Sequence, residues 1–477
     1  WVGPGGYSYM VGTLTSQTTL IDTLTVLGTG HFVASFNENG TVRFATLLPS
    51  EALTVSAVTF DEMGHVFVGG TFIDSISFGA TNLPPVPDTV YPGIFLAQYD
   101  TSGTPTFAEA FVSQVAPPGP MGDNSINDLS VDEQGNLYIV GSFEDQLNIG
   151  PFTMLGNNVT QDSMNSYLAR RNADGTYAFA EDVFSTGLVQ MTSVAPDRDG
   201  GAYVTGVMSR SIPFGVGVFP GSYGTMRGFI VRYDSLGNAL WGETLSAIGI
   251  GDGVDVTSDA DGNVFLFGRY RGDSVRLANT FLTDDDTLDS YVARFDPGGQ
   301  LDWIKETSVP AGEGIGHHLG LGQTGEIYGA GISLFSGGAA IIGCVNVEDY
   351  NTIGGNAGFL VKMTDPLFTL PPDSVWPGDA NYDLVANNQD LLAIGVAFGL
   401  TGPPRANASL NWTGQPSVDW TDTLPGGINF KHADTDGNGV VNTADTVAIN
   451  LNYGLTHNKN EGVQKAGPLL AYSFKTD

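Results

Sequence analysis

One short pattern recurs along most of this chain and restricts what the chain can fold into. A glycine is followed after three residues by an aromatic residue, and after three more by a second glycine. Six copies occur at intervals of 58, 71, 65, 62 and 63 residues, and they begin at Gly6, Gly64, Gly135, Gly200, Gly262 and Gly325. A period of this length indicates a protein assembled from repeated structural units.

A second element follows each copy after 26 to 34 residues. It alternates apolar and polar residues and then reaches a turn with Gly, as in FLAQYDTSG (Phe95–Gly103) and YVARFDPGG (Tyr291–Gly299). Alternation predicts strands, and Asp or Asn near Gly predicts tight hairpin turns. Each unit therefore offers four short antiparallel strands.

One four-stranded sheet cannot bury both of its faces alone, and radial packing of several sheets solves this problem. The sequence thus predicts a mainly β protein, with a β-propeller of about six four-stranded blades over residues 1–370. Because the first unit begins at its second strand, we expect a strand or a seventh blade before Trp1, or a strand from elsewhere that fills the gap. The units also resemble the SBBP-like repeats of bacterial extracellular propellers, whose pattern is D-x-x-G-N-x-Y-V-x-G.

Two acidic segments within the repeats look like ion-binding loops. They are DRDGG (Asp197–Gly201) and DADGN (Asp259–Asn263). Both lie where the hairpin turn recurs, and Asp, Asn and Gly are the residues that tight turns favour. We therefore interpret them as turns rather than as calcium sites.

The chain is strongly acidic, with 51 Asp and Glu against 18 Lys and Arg and a net charge of −33. Nucleic acid requires a basic surface, so a nucleic-acid partner is not expected. The charge instead favours attraction of divalent cations. No run of eighteen apolar residues is present, and membrane insertion is not expected either.

No catalytic constellation stands out in the sequence, and the protein is predicted not to be an enzyme. The six histidines are scattered, and no nucleophile elbow, phosphate loop or HExxH motif occurs. His317 and His318 precede the last glycine turn, where they are most simply interpreted as polar residues of an axial channel. A hydrolase or lyase that uses them is the third hypothesis for function.

Near the C-terminus two segments align over their full length: DANYDLVANNQDLLAIGVAFG and DTDGNGVVNTADTVAINLNYG. Both place oxygen-bearing side chains at positions 1, 3, 5, 9 and 12 of a loop, with a backbone carbonyl at position 7, as in an EF-hand calcium loop. An apolar segment then predicts one amphipathic helix per loop. The sequence therefore predicts about two calcium ions, bound by Asp379, Asn381, Asp383, Val385, Asn387 and Asp390, and by Asp434, Asp436, Asn438, Val440, Asn442 and Asp445.

The paired loops resemble a dockerin, in particular the dockerin-like segments of secreted Bacteroidota surface proteins. The predicted domains are a Pro-rich linker at 371–378, the dockerin-like module at 379–454, and a tail at 455–477 that begins a further domain. This chain departs from a compact dockerin in its insert with Trp412 and Trp420. It also has Leu384 at position 6 of the first loop, where a positive φ costs about 1 kcal/mol. A cohesin partner is therefore not expected.

We expect a calcium-stabilised structural or adhesive protein, for which the resemblance implies type IX secretion to the cell surface or the exterior. Self-assembly by strand addition between subunits, into filaments or a matrix, is a sharper form of this hypothesis. The alternative is a propeller that binds a glycan or matrix polymer, with Tyr91 and Tyr223 of the rim loops as contact residues.

Overall fold

The structure is a computed structural model of the 477-residue chain. It describes residues 8–22, 24–37, 40–50, 53–61, 63–86, 92–112, 124–143, 146–156, 164–183, 187–215, 217–219, 226–246, 250–272, 275–278, 280–282, 289–308, 312–321, 326–335, 340–342, 345–347, 356–364, 374–405, 408–424, 428–456 and 470–475. Tyr91, Tyr223 and the side chain of His317 lie outside this description, so the predictions made for them stay predictions.

Strands dominate the described residues up to residue 364. The strands before residue 112 are β1 (Ser8–Leu14), β2 (Thr18–Ile21), β3 (Leu24–Leu27), β4 (Gly30–Phe36), β5 (Val42–Leu47), β6 (Thr54–Phe60), β7 (Val66–Phe72), β8 (Ile76–Phe78), β9 (Thr81–Leu83), β10 (Gly93–Tyr99) and β11 (Pro105–Phe111). The next are β12 (Ser125–Val131), β13 (Leu137–Phe143), β14 (Gln146–Ile149), β15 (Phe152–Leu155), β16 (Asn165–Arg171), β17 (Tyr177–Val183), β18 (Val189–Pro196), β19 (Ala202–Met208), β20 (Ile212–Pro213), β21 (Val218–Phe219), β22 (Arg227–Tyr233) and β23 (Ala239–Ser246).

The remaining strands are β24 (Ile250–Ser258), β25 (Val264–Arg271), β26 (Arg276–Leu277), β27 (Thr280–Phe281), β28 (Asp289–Phe295), β29 (Leu301–Ser308), β30 (Gly312–Leu321), β31 (Glu326–Phe335), β32 (Ala340–Ile342), β33 (Val345–Val347), β34 (Asn356–Thr364) and β35 (Leu470–Lys475). Two short helices, α1 (Asp390–Ala397) and α2 (Thr446–Leu451), lie near the C-terminus, with 3-10 turns at Phe430–His432 and Thr443–Asp445. No helix among the described residues is long and apolar enough to cross a membrane.

The strands form successive small sheets, and the repeat predicted most of their order. The sheets contain β1-β4-β5, β6-β7-β10-β11, β12-β13-β16-β17, β18-β19-β22-β23, β24-β25-β28-β29 and β30-β31-β34-β35, and the fourth and fifth are extended to six strands by β26-β27 and β32-β33. The second to fifth sheets each use the two predicted hairpins. A small hairpin that the sequence did not reveal separates them, namely β2–β3, β8–β9, β14–β15, β20–β21, β26–β27 or β32–β33.

The first and last sheets differ from the others. The first has three strands and begins with the strand that is second elsewhere, as expected from the sequence. The last takes its fourth strand from β35, near the end of the chain. β35 thus pairs with β34, and the expectation that the tail at 455–477 begins a further domain stays a prediction.

The first strands of successive sheets lie beside one another, since β6 contacts β12, β12 contacts β18, and β18 contacts β24. Each of these strands carries a bulge, where one extra residue stands out of register. In three of them the bulge side chain donates a hydrogen bond to a carbonyl of the next first strand. These bonds are Ser56 to Ile126 O (2.5 Å), Asn127 to Met191 O (2.6 Å) and Thr192 to Gly253 O (2.7 Å).

Hydrophobic cores lie between neighbouring sheets. One of them joins Tyr138 and Val140 of β13 to Val204 of β19 and Phe229 of β22, all of them buried. Strands packed on both faces in this way, with their first strands in mutual contact, form a mainly β, propeller-like fold.

The recurring acidic segments are turns, as predicted. Gly262 has φ +82°, and its amide donates to the Asp259 carbonyl (3.0 Å). The Asp259 carboxylate accepts amide hydrogen bonds from Asp261 (3.0 Å) and Asn263 (2.9 Å). The side chain is therefore used to close its own turn, which is the usual function of Asp at such a position.

The chain divides into two compact units. One comprises Trp1–Leu319, Gly329–Leu360 and Ala471–Asp477, and the other Gly320–Tyr328 and Val361–Leu470. Part of the predicted linker packs inside the second unit, because Val375 and Gln415 exchange backbone hydrogen bonds of 2.9 Å and Trp376 packs on Trp412.

Candidate metal centre

The two predicted calcium loops, loop 1 (Asp379–Asp390) and loop 2 (Asp434–Asp445), have nearly the same hydrogen-bond pattern. In each loop the position-12 carboxylate accepts the backbone amides of positions 3 and 9, at 3.1 and 2.7 Å. In each loop the position-1 carboxylate accepts the amide of position 6, at 3.0 and 3.1 Å. Such agreement over two separate segments shows that the aligned sequences fold in the same way.

Three carboxylates converge in each loop, with their oxygens within 4.8 Å of one another. Loop 1 contributes positions 1, 5 and 12, and loop 2 positions 1, 3 and 12; the groups are Asp379, Asp383 and Asp390, and Asp434, Asp436 and Asp445. Since calcium lies about 2.4 Å from each oxygen ligand, two ligands on one ion are at most about 4.8 Å apart. The spacing therefore fits a calcium ion in either loop.

Asp434 gives an independent test of this fit. Its side chain is buried, and its Oδ1 atom has no hydrogen-bond partner among the described residues. A buried carboxylate oxygen without a donor is costly, whereas a cation at the loop centre would satisfy it. Loop 2 thus has the orphaned oxygen that a metal ligand requires.

The crowded carboxylates have raised pKa values. Burial raises the pKa of Asp390 and of Asp434 to about 6, against the lowering effect of the amides that donate to them. Burial also raises the pKa of Asp445 above its ordinary value. The charged forms are therefore unfavourable without a counter-charge, which a proton or a divalent cation can supply.

The backbone of loop 1 is strained where that of loop 2 has glycine. Leu384 at position 6 has φ +82° and Gly439 has φ +84°, so the positive φ expected at Leu384 is present. Position 4 repeats the difference, with Tyr382 at φ +54° and Gly437 at φ +76°. Strain at position 4 was not expected from the sequence. The glycine at the same position of loop 2, Gly437, could have indicated that this position requires a positive φ.

The helices expose more apolar surface than the predicted amphipathic pattern implies. α1 and α2 contact each other, and Ala393, Ile394 and Ile449 are buried in the module core. Their outer sides are nevertheless apolar at equivalent places. The exposed residues are Leu392, Val396 and Phe398 of the first half and Val447, Leu451 and Tyr453 of the second.

The insert supports loop 2 through Arg405, a residue that the sequence did not point to. Its buried guanidinium donates to the carbonyls of Asp434 and Thr435 (2.8 Å to the latter) and to Gln415 Oε1 (3.2 Å). Burial lowers the pKa of Arg405, while the loop carboxylates oppose this change. No sequence signal identifies it, because the loop atoms that it contacts are backbone carbonyls about thirty residues away.

A second cluster of polar residues lies on the first strands of the sheets. Its members stand seven residues before the third to sixth repeat glycines and are Asp128, Ser193, Asp255 and His318, whereas the same position before the second is Ala57. The Ser193 hydroxyl lies 2.8 Å from Asp128 Oδ2 and 2.6 Å from Asp255 Oδ1, and His318 Nδ1 lies 3.8 Å from Asp255 Oδ2. Counting back from the repeated glycine would have revealed this set, whereas the abundance of carboxylates in the sequence concealed it.

Comparisons with known proteins give a limited picture. No family model matches the chain. An uncharacterized WD repeat-containing protein of Acanthamoeba polyphaga mimivirus is 24% identical over an alignment of 194 residues, and the match covers 35% of this chain and 13% of that protein. The chain thus spans about an eighth of the length of this relative.

Similar solved structures include a protein of unknown function from Dyadobacter fermentans (10% identity, TM-score 0.33, 67% of this chain and 92% of that one). An ulvan lyase (9%, 0.34, 76% and 90%) and a puromycin hydrolase (12%, 0.28, 79% and 60%) are also similar. At these TM-scores the likeness supports no argument about activity. The assignment of the chain to the mainly β, propeller-like proteins rests on its own sheets.

Proposed function

We propose that this protein is a calcium-stabilised structural or adhesive protein of the cell surface or the exterior. It would comprise a six-bladed propeller as a non-catalytic scaffold and a dockerin-like module with two calcium ions. The observation that supports this proposal most is the pair of loops with matching hydrogen bonds and converging carboxylates. The affinities of EF-hand loops include the range that extracellular modules use.

The scaffold part of the proposal is supported by the first strands. The bonds from Ser56, Asn127 and Thr192 join consecutive sheets by side chain to backbone contacts, in addition to the hydrophobic cores. Each sheet is therefore joined to its neighbour both by hydrogen bonds between first strands and by apolar packing, and this combination opposes deformation. Packed sheets connected by loops suit a spacer or an adhesin.

The adhesive part is supported by the apolar outer sides of α1 and α2. Leu392, Val447 and Leu451 expose 72%, 46% and 60% of their surface. Apolar residues that are exposed at equivalent places on two helices are a feature of surfaces that bind other proteins. We propose a proteinaceous surface or matrix component as the partner, with self-assembly by strand addition as the alternative.

The experiment has two stages, both on the full chain. Calorimetric titration should detect about two calcium ions, and Asp434→Asn with Asp445→Asn should remove one of them. Exposed Asp74→Asn is the matched control, because Asp74 lies outside both loops. Unchanged calcium binding in the double variant would contradict the metal assignment.

Electron microscopy and light scattering, with calcium and then with chelator, test the structural function. Filaments or sheets that dissociate on chelation would support a self-assembling protein. Single particles that bind matrix proteins only with calcium would support an adhesin. Single particles without calcium-dependent binding of either kind would contradict the proposed function.

A further inference from the structure

In the cluster on the first strands, hydrogen-bond acceptors outnumber the side-chain protons that can be donated to them. Ser193 on β18 lies between Asp128 on β12 and Asp255 on β24, at 2.8 and 2.6 Å. A hydroxyl group has one proton and can donate it to one acceptor only. If both carboxyls were ionised, one of the two contacts would join two oxygens without a proton between them.

We propose that the first strands hold one proton between Asp128, Ser193 and Asp255, as a built-in proton-binding site that joins three consecutive sheets. In this arrangement one carboxyl is protonated and donates to Ser193, and Ser193 donates to the other carboxylate. Both contacts are then ordinary hydrogen bonds. The proposal concerns the scaffold and is independent of the calcium loops.

The surrounding donors assign the proton to Asp128. The Asp255 carboxylate accepts amide hydrogen bonds from Val256 (2.9 Å) and Leu319 (2.7 Å), and it faces His318. With Ser193 as a third donor, Asp255 has the partners that stabilise an ionised carboxylate.

Asp128 also accepts two amides within the described residues, those of Leu129 (2.8 Å) and Val194 (2.9 Å), so the two carboxyls differ in the imidazole of His318, which lies beside Asp255. It forms no ion pair with the Lys, Arg and His residues that the structure describes. Burial, followed by the nearby charge of Asp255, raises its pKa to about 7. A neutral Asp128 therefore agrees with both the geometry and the electrostatics.

The groups on neighbouring elements add few other charges. At the equivalent place β6 carries Ala57 and β18 carries Ser193, neither of which is charged. Within the described residues, Asp255 on β24 and His318 on β30 are the titratable groups that face Asp128. Asp255 raises the pKa of His318. A test must therefore distinguish the titration of His318 from that of Asp128.

The site makes the scaffold sensitive to pH near neutrality. A carboxyl whose pKa is higher in the folded than in the unfolded chain stabilises the fold at low pH, and this stabilisation is lost as the pH rises through the folded value. Loss of the proton leaves Asp128 and Ser193 as two facing acceptors between β12 and β18. We therefore expect that these two strands separate more easily above neutral pH.

The test uses the full chain in saturating calcium, so that any contribution of the C-terminal loops is the same in every variant compared. Thermal midpoints and hydrogen exchange of residues 189–196 are measured between pH 5.5 and 8.5 for the wild type, Asp128→Asn and His318→Asn. The asparagine at 128 donates to Ser193 at every pH. We expect that the midpoint of the wild type and of His318→Asn falls with pH, and that Asp128→Asn loses most of this fall.

Two direct measurements complete the test. Proton uptake between pH 8.5 and 6 should be lower by about one proton in Asp128→Asn. The infrared difference spectrum between wild type and this variant at pH 6 should contain one protonated carboxyl band. An unchanged pH slope together with equal proton uptake in Asp128→Asn would overturn the proposal, whatever the outcome for calcium.

Discussion

Leu384 and Gly439 have almost the same backbone conformation, at φ +82° and +84°, although only one of them is a glycine. The matching hydrogen bonds of the two loops impose this conformation on a leucine, which avoids it by about 1 kcal/mol or more. Loop 1 therefore stores strain that loop 2 does not have. The difference leads to a prediction with a matched control.

Leu384→Gly should leave the calcium-loaded module about 1 kcal/mol more stable than Leu384→Ala, because alanine retains the Cβ atom that makes a positive φ costly. Both variants lose the half-buried leucine side chain, so their difference isolates the backbone. Denaturant unfolding in calcium provides the measurement. Equal stability of the two variants would show that position 6 is not strained.

Without calcium, the C-terminal module should become less stable as the pH rises through about 6. The pKa of Asp390 and of Asp434 is raised to about 6 by burial, from an unfolded value near 4. A raised folded pKa stabilises the fold below the unfolded value, and this contribution is lost above the folded value. Melting of the module in chelator between pH 4.5 and 8 is the measurement.

Saturating calcium should reverse this slope, because the ion requires ionised ligands and binds more tightly as they lose protons. The same melting series with calcium serves as the control. A module whose stability in chelator rises from pH 4.5 to 8 would contradict the assigned pKa directions.

Arg405→Met should destabilise the module, because the carbonyls of Asp434 and Thr435 lose their donor while buried. Each unsatisfied group costs roughly 1–3 kcal/mol. Arg405→Lys retains the charge but not the forked geometry, and it should recover only part of the loss. Fluorescence of Trp420, which is buried in the module core, follows the unfolding. Wild-type stability in both variants would show that Arg405 does not support loop 2.

Thr192→Val should lower the stability of the propeller-like unit by about 1 kcal/mol, since the Gly253 carbonyl loses the hydroxyl donor of β18. Valine has almost the same shape as threonine, so packing changes little. Thr192→Ser retains the hydroxyl and is the control. The prediction is wrong if serine and valine variants unfold at the same denaturant concentration.

The sequence predicted those parts of the structure that depend on local geometry. The turn at Asp259–Asn263 followed from Asp and Gly, because a positive φ and a capped amide are requirements of a few neighbouring residues. The inserted hairpins were missed because strands such as Arg276–Leu277 are too short to show periodicity. Calcium binding itself stays a prediction, although the loop geometry fits it.

Contacts between distant residues could not be predicted in the same way. Arg405 binds backbone carbonyls, which have no sequence signature. Asp128 and Asp255 are 127 positions apart in the sequence, and they meet only because consecutive sheets place equivalent strands side by side. Only the register of the repeat, counted from its glycines, could have connected them.

Each loop also pairs with the end of the other loop's helix. Ala386, at position 8 of loop 1, exchanges backbone hydrogen bonds with Gly454 and Leu455 of the segment after α2. Val441, at position 8 of loop 2, does the same with Gly399 and Leu400 of the segment after α1. An ion that orders one loop therefore fixes part of the other half of the module. The two sites should fill cooperatively, and by thermodynamic reciprocity each ion should increase the affinity for the other by the same factor.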